Sequence, residues 1–144
     1  MDLYLYKAQL ERIIDGDSMV CTLDLGFSIK MTGQHIRLYN LDTPESRTRD
    51  KTEKRFGLLA KEYLAAHVKD SFILRTHRDS AGKYGRLLAE PIVYIPQFDR
   101  EMSVCEAMTT LGLGVKYTGQ SKDSIKAQHL ANRERLISEG KISL

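Results

Sequence analysis

The sequence predicts an α+β fold, mainly β: a five-stranded barrel carrying three helices. Three observations lead there. The first forty residues alternate apolar and polar side chains in runs broken at Asp15-Gly16-Asp17 and at Gly26, the pattern of a strand meander. A helical stripe follows, formed by Phe56, Leu59, Ala60, Tyr63, Leu64, His67 and Val68. Two more strand-like runs and two more helical segments complete the order β-β-β-α-β-β-α-α. A length of 144 residues favours one domain, residues 1–144, with a single core.

Each element has its local reason. "LYLYKAQLERII", "SMVCTLDL" and "SIKMTGQHIRLYNL" read as three strands, with glycine and aspartate supplying the turns between them. "SRTRDKTEKR", residues 46–55, has no apolar side chain and is a charged loop or a helix start. In the helix that follows, His67 reads as a histidine satisfied at the edge of the core. "SFILRTH" is a short strand, "RDSAGKYG" a turn-rich loop, and "RLLAEPIVYI" a strand that Pro91 interrupts or places at an edge. In "SVCEAMTTLG", Ser103 and Glu106 have capping-box spacing and Gly112 closes a short helix. The last helix, "KDSIKAQHLANRERLISEG", takes Ile125, Leu130 and Ile137 into its apolar face and stops at Gly140. Five strands with a helix between the third and fourth fit a small closed barrel of the oligonucleotide-binding type.

Composition narrows the function class. The chain is 42% hydrophobic and 28% charged, ordinary for a globular protein, with a net charge of +3. Nineteen acidic residues remain, so any basic surface is local. Cys21 and Cys105 lie far apart among apolar neighbours and without metal-ligand spacing, which predicts two buried thiols in a reducing compartment. The N-terminus shows no signal-peptide pattern and no apolar run reaches membrane-spanning length, so a cytoplasmic protein without a membrane partner is expected.

Chemistry concentrates around "IRLYNLDTPE". Asp17 opens the second strand and Asp42 closes the third, and in a meander those two positions share one edge of the sheet. Paired carboxylates repel unless a cation lies between them or one takes a proton. With the Thr43 carbonyl and waters they make an all-oxygen shell that suits Ca²⁺ or Mg²⁺ better than zinc. Glu45 is near enough to orient or deprotonate a water. Arg37 on the same strand and Arg86 at the start of another match a phosphate, which guanidinium groups clamp bidentately. Hard metal, water-activating acid and phosphate clamp together are what metal-assisted phosphodiester hydrolysis requires.

"IIDGDSMV", "IRLYNLDTPE", "KYGR" and "VCEAMTTLGLG", in this order from about Leu10 to about Leu136, resemble the staphylococcal (micrococcal) nuclease family of thermonuclease-like proteins. The resemblance implies an oligonucleotide-binding barrel with three helices. It implies an endonuclease that cleaves DNA or RNA at the bond between phosphorus and the 5′ oxygen, leaving 3′-phosphate ends. Asp17, Asp42 and the Thr43 carbonyl would hold Ca²⁺, with Mg²⁺ or Mn²⁺ as alternatives inside a cell. Glu45 would be the general base, Arg37 and Arg86 the phosphate-binding arginines, and Lys83 with Tyr84 the contacts to a terminal phosphate. Tyr117 stands where relatives can carry two tyrosines that flank the base. "LDLGFSIKMTGQH" is longer than in the type enzyme. The charged segment 46–55 is either a solvated loop or a phosphate-tracking arm. A monomer is expected, and the rival reading is a catalytically weak oligonucleotide-binding module that binds nucleic acid.

Overall fold

The computed structural model describes residues 4–77 and 87–144. The predicted meander is present as β1 (Leu5–Asp15), β2 (Ser18–Gly26) and β3 (Ile29–Leu38). β1 pairs antiparallel with β2, and β2 with β3, in the register that sets Asp15 opposite Ser18 and Ser18 opposite Arg37. The predicted third strand is interrupted. It turns at Tyr39 and Asn40 and resumes as the two-residue β4 (Leu41–Asp42). Asn40 takes the turn at φ +52°, a left-handed conformation that asparagine tolerates better than most residues.

After α1 (Lys51–His67) the chain returns as β5 (Ser71–His77), antiparallel to β1, and β6 (Leu87–Ile95), antiparallel to β5. Residues Leu87–Ala89 of β6 then run parallel to Ile36–Leu38 of β3 and close a five-stranded barrel. β7 (Arg100–Ser103), after a 3₁₀ turn at Pro96–Phe98, extends the sheet from the far half of β6. α2 (Val104–Thr110), β8 (Val115–Lys116) and α3 (Lys122–Ser138) complete the chain. β8 pairs with β4, Leu41 opposite Lys116 and Asp42 opposite Val115.

The core lies inside the barrel and under α1 and α2. It holds Met19, Cys21, Ile36, Leu38 and Leu74 from strands, Phe56, Ala60 and Leu64 from α1, and Val104 and Met108 from α2. Ile36, Leu38 and Leu41 are all 1% exposed or less, so each anchors the strand that carries the site by about 1.5–3 kcal/mol. Both thiols are buried and unpaired, as expected. His67 bonds through Nδ1 to the Tyr63 carbonyl at 2.8 Å and stacks on its ring.

Three local expectations change. Pro91 lies inside β6 and is fully buried, not at an edge. Glu90 and Pro91 fall between the residues paired with β3 and those paired with β7, a gap where a missing N–H costs the ladder nothing on that side. Ser103 caps α2 through the Cys105 N–H, while Glu106 lies 3.9 Å from Arg100 in place of a reciprocal capping box. In α3, Leu130 and Ile137 are 47% and 43% exposed and the buried residue is Leu136. Polar contacts dock this helix instead. Asn132 Nδ2 donates to the Gly114 carbonyl at 3.3 Å, Arg135 Nη1 donates to the Thr110 carbonyl at 2.8 Å, and Arg133 lies over the Phe56 ring at 5.4 Å.

Candidate functional site

The site forms where the β1–β2 turn, the end of β3, β4 and the loop into α1 meet α3. Asp17 sits in the turn. Its carbonyl accepts from the Leu38 N–H at 2.9 Å and from Arg37 Nη1 at 3.2 Å, locking the turn to the end of β3. Arg37 Nη1 is also 3.2 Å from Asp17 Oδ2, and Nη2 is 3.8 Å from Asp42 Oδ1. One guanidinium therefore faces both carboxylates. The Thr43 N–H donates to Asp17 Oδ2 at 3.1 Å, tying the residue after Asp42 to the same turn.

The electrostatics follow from this packing. Burial pushes the Asp17 carboxyl above its usual pKa; Arg37 and the Thr43 N–H pull it down, and Asp42 and Asp15 push it up again. The sequence expectation that Asp17 and Asp42 come together is thus met, with Arg37 supplying the counter-charge to both. Thr43 is 6% exposed and its Oγ1 is buried without a hydrogen-bond partner among the described residues. Those residues contain no group of three or more His, Cys, Asp or Glu placed to hold a metal ion.

Backbone geometry sets where the Asp42–Glu45 segment runs. Tyr39 donates its N–H to the Ala89 carbonyl at 2.9 Å, and its ring stacks on His77 with centroids 3.6 Å apart. The Asn40 carbonyl accepts from the Tyr117 N–H at 3.0 Å. Beyond Glu45, the buried Ser46 hydroxyl donates to the Asp15 carboxylate, and Arg47 pairs with Asp15 at 3.4 Å. α1 then lies directly on this loop. A Cβ at Gly57 would stand 2.4 Å from the Glu45 carbonyl oxygen, so only glycine lets helix and loop backbones touch. α1 begins within the charged segment 46–55: Asp50 caps it by accepting from the N–H groups of Thr52 and Glu53, and Arg55 bonds to the Ser143 carbonyl.

Two contributors escaped the sequence reading. His129 Nε2 lies 2.7 Å from Asp42 Oδ2, bringing α3 into the site. Ile125, His129, Arg133 and Leu136 recur at helical spacing. That stripe was the available signal, hidden because only one of its two apolar members, Ile125, stood out as such. Asp15 was a turn residue by its pattern and proves to be the anchor of the loop that carries Glu45.

Arg37, Asp42 and Glu45 open into one groove of about 840 Å³. α1 and its cap contribute Asp50 and Glu53; Tyr117 and, from α3, Lys122, Lys126 and His129 also line it. Tyr117 lines a second, adjoining hollow of about 480 Å³ that shares Arg37. Lys83, Tyr84 and Arg86 lie outside the described residues. A protein-family profile described as staphylococcal nuclease homologue matches residues 35–144. Arg37, Asp42, Thr43 and Glu45 fall within the match, and Asp17 precedes it. No curated protein matches the chain.

Proposed function

The chain belongs to the staphylococcal nuclease homologues, and from that premise we propose that it is a metal-dependent nuclease. It would hydrolyse internal phosphodiester bonds of DNA or RNA and leave 3′-phosphate ends. The observation that carries this reading is that Arg37, Asp42 and Glu45 line one groove while Arg37 also pairs with Asp17, brought in by a separate chain segment.

The donor set fits a hard cation. Asp17, Asp42 and the Thr43 carbonyl offer only oxygen, the donor that such cations take. Ca²⁺, Mg²⁺ or Mn²⁺ bound there would supply positive charge beside the scissile phosphate. Arg37 would orient that phosphate and offset the charge that grows on its oxygens. Glu45 is exposed on the groove, where it would take a proton from the attacking water. The water oxygen bonds to phosphorus, the bond to the 5′ oxygen breaks, and that oxygen leaves with a proton. In this proposal Arg86 assists the departure, Lys83 and Tyr84 touch a terminal phosphate, and Tyr117, 44% exposed, stacks on a base.

One observation favours the rival binding module: Arg37 engages both carboxylates at once. A digestion series separates the two. Plasmid DNA and RNA are incubated with EDTA, Ca²⁺, Mg²⁺ or Mn²⁺, and the product ends are analysed. Metal-dependent cleavage to 3′-phosphates is expected. Tight binding with no cleavage under any of the metals would establish the binding module instead.

A further inference from the structure

The groove is chemically lopsided. α1 and its cap present Asp50 and Glu53 to it, and Lys51 and Lys54 do not line it. α3 presents Lys122 and Lys126, four residues apart and so about 6 Å apart along the helix axis. Both are exposed, and neither ammonium forms an ion pair with a carboxylate among the described residues. Leu130, left 47% exposed when α3 docks, lines the same groove beside the half-buried Ile125. Tyr117 borders both this groove and the adjoining hollow, and Arg37 lines the two.

We infer that α3 is the substrate-tracking wall of the protein: a nucleic-acid strand seated at Arg37 runs along α3, with Lys122 and Lys126 taking successive backbone phosphates. The inference rests on the nuclease reading and adds to it the path of the strand. The charges dictate the side. A polyanion that enters the groove is repelled by Asp50 and Glu53 and drawn to the lysines opposite in sign. The rise of about 6 Å between the two helix positions suits consecutive phosphates of an extended strand. Leu130 and Ile125 give the sugars and base faces an apolar surface on the same wall of the groove. Tyr117, at the border of two hollows that share Arg37, can meet a base on the side of the phosphate seated there. The same geometry explains why α3 carries so little buried apolar surface: one of its sides is committed to a ligand, and its packing is left to polar contacts.

The test is the salt dependence of binding. A short labelled DNA single strand is titrated with the full chain by fluorescence anisotropy, in EDTA, with strand integrity verified on a gel. Each phosphate contact contributes about 0.7 to the slope of log K against log salt on single strands. Lys122→Gln with Lys126→Gln should therefore flatten the slope by about 1.4 and, in separate digestions with metal present, raise KM more than it lowers kcat. Lys51→Gln with Lys54→Gln, on the exposed side of α1, should leave the slope as it is. An unchanged slope in the α3 variant, or a flattened slope only in the α1 variant, overturns the inference while the nuclease reading stands. Absence of any salt-dependent binding by the wild type overturns the inference, and the digestion series then decides the nuclease reading by itself. Circular dichroism of the four exposed substitutions checks that each variant keeps the fold.

Discussion

Asp42 is held from two sides, by the Arg37 guanidinium at 3.8 Å and by His129 Nε2 at 2.7 Å. Its substitution separates chemistry from folding. Asp42→Asn keeps an oxygen for His129 and removes one of two neighbouring negative charges. Turnover should fall to below about 10⁻² of the wild type, while the circular dichroism spectrum and the metal-free unfolding midpoint are kept or improved. Near wild-type turnover in the purified variant would remove Asp42 from the chemistry. His129 acts on the same carboxylate from outside. Groups that orient a ligating carboxylate typically matter 10–100-fold to metal affinity. His129→Ala should weaken Ca²⁺ binding on about that scale in a calorimetric titration, with His129→Asn, which can still donate a hydrogen bond, recovering part of it. Equal Ca²⁺ affinity in all three proteins would make the contact a packing detail of α3.

At the scale of elements, the site depends on how closely α1 meets the loop before it. Gly57 brings the helix backbone against the Glu45–Ser46 peptide, where a Cβ would lie 2.4 Å from the Glu45 carbonyl oxygen and 2.7 Å from the Ser46 nitrogen. Two effects oppose each other in Gly57→Ala. Helix propensity improves by about 1 kcal/mol. Overpacking against backbone, which cannot rotate away as a flexible side chain could, costs about 1–3 kcal/mol. The clash should win: the denaturant midpoint falls, and turnover falls with it because Glu45 moves. A variant of raised stability and full turnover would show that loop and helix separate freely. The other close approach points the same way. A Cβ at Gly16 would lie 2.7 Å from Ala60 Cβ and 3.0 Å from Thr43 Oγ1, so the β1–β2 turn, α1 and the site loop share one tight junction.

Across the whole molecule, the barrel seals both thiols. Burial pushes Cys21 and Cys105 each up to about 12. A thiol of that pKa is protonated throughout the physiological range, with a thiolate fraction of about 10⁻⁴ at pH 8. Raising the pH toward 12 increases the reactive form, but the walls still block reagents until the barrel opens. Alkylation at pH 8 should therefore follow unfolding and accelerate with denaturant, reporting the opening of the barrel at Cys21 and of the α2 junction at Cys105. Reaction of either thiol at the rate of a free cysteine in the native protein would contradict the sealed core.

By itself, the sequence determined the strand meander, the α1 stripe from Phe56 to Val68, the buried thiols and the family. These rest on local periodicity and on motifs a few residues long, and short-range pattern specifies them fully. It also foresaw the approach of Asp17 and Asp42, because a meander returns the chain to the same edge. Only the tertiary structure decided the rest. The third strand breaks at Asn40 because β8 offers Leu41 and Asp42 a partner far along the chain. Pro91 is tolerated deep in β6 because two different strands divide that edge between them. Leu130 stays exposed and His129 turns inward because α3 is docked by carbonyls and a carboxylate from distant segments. Hydrophobic spacing carries no information about polar partners that the fold has yet to bring near.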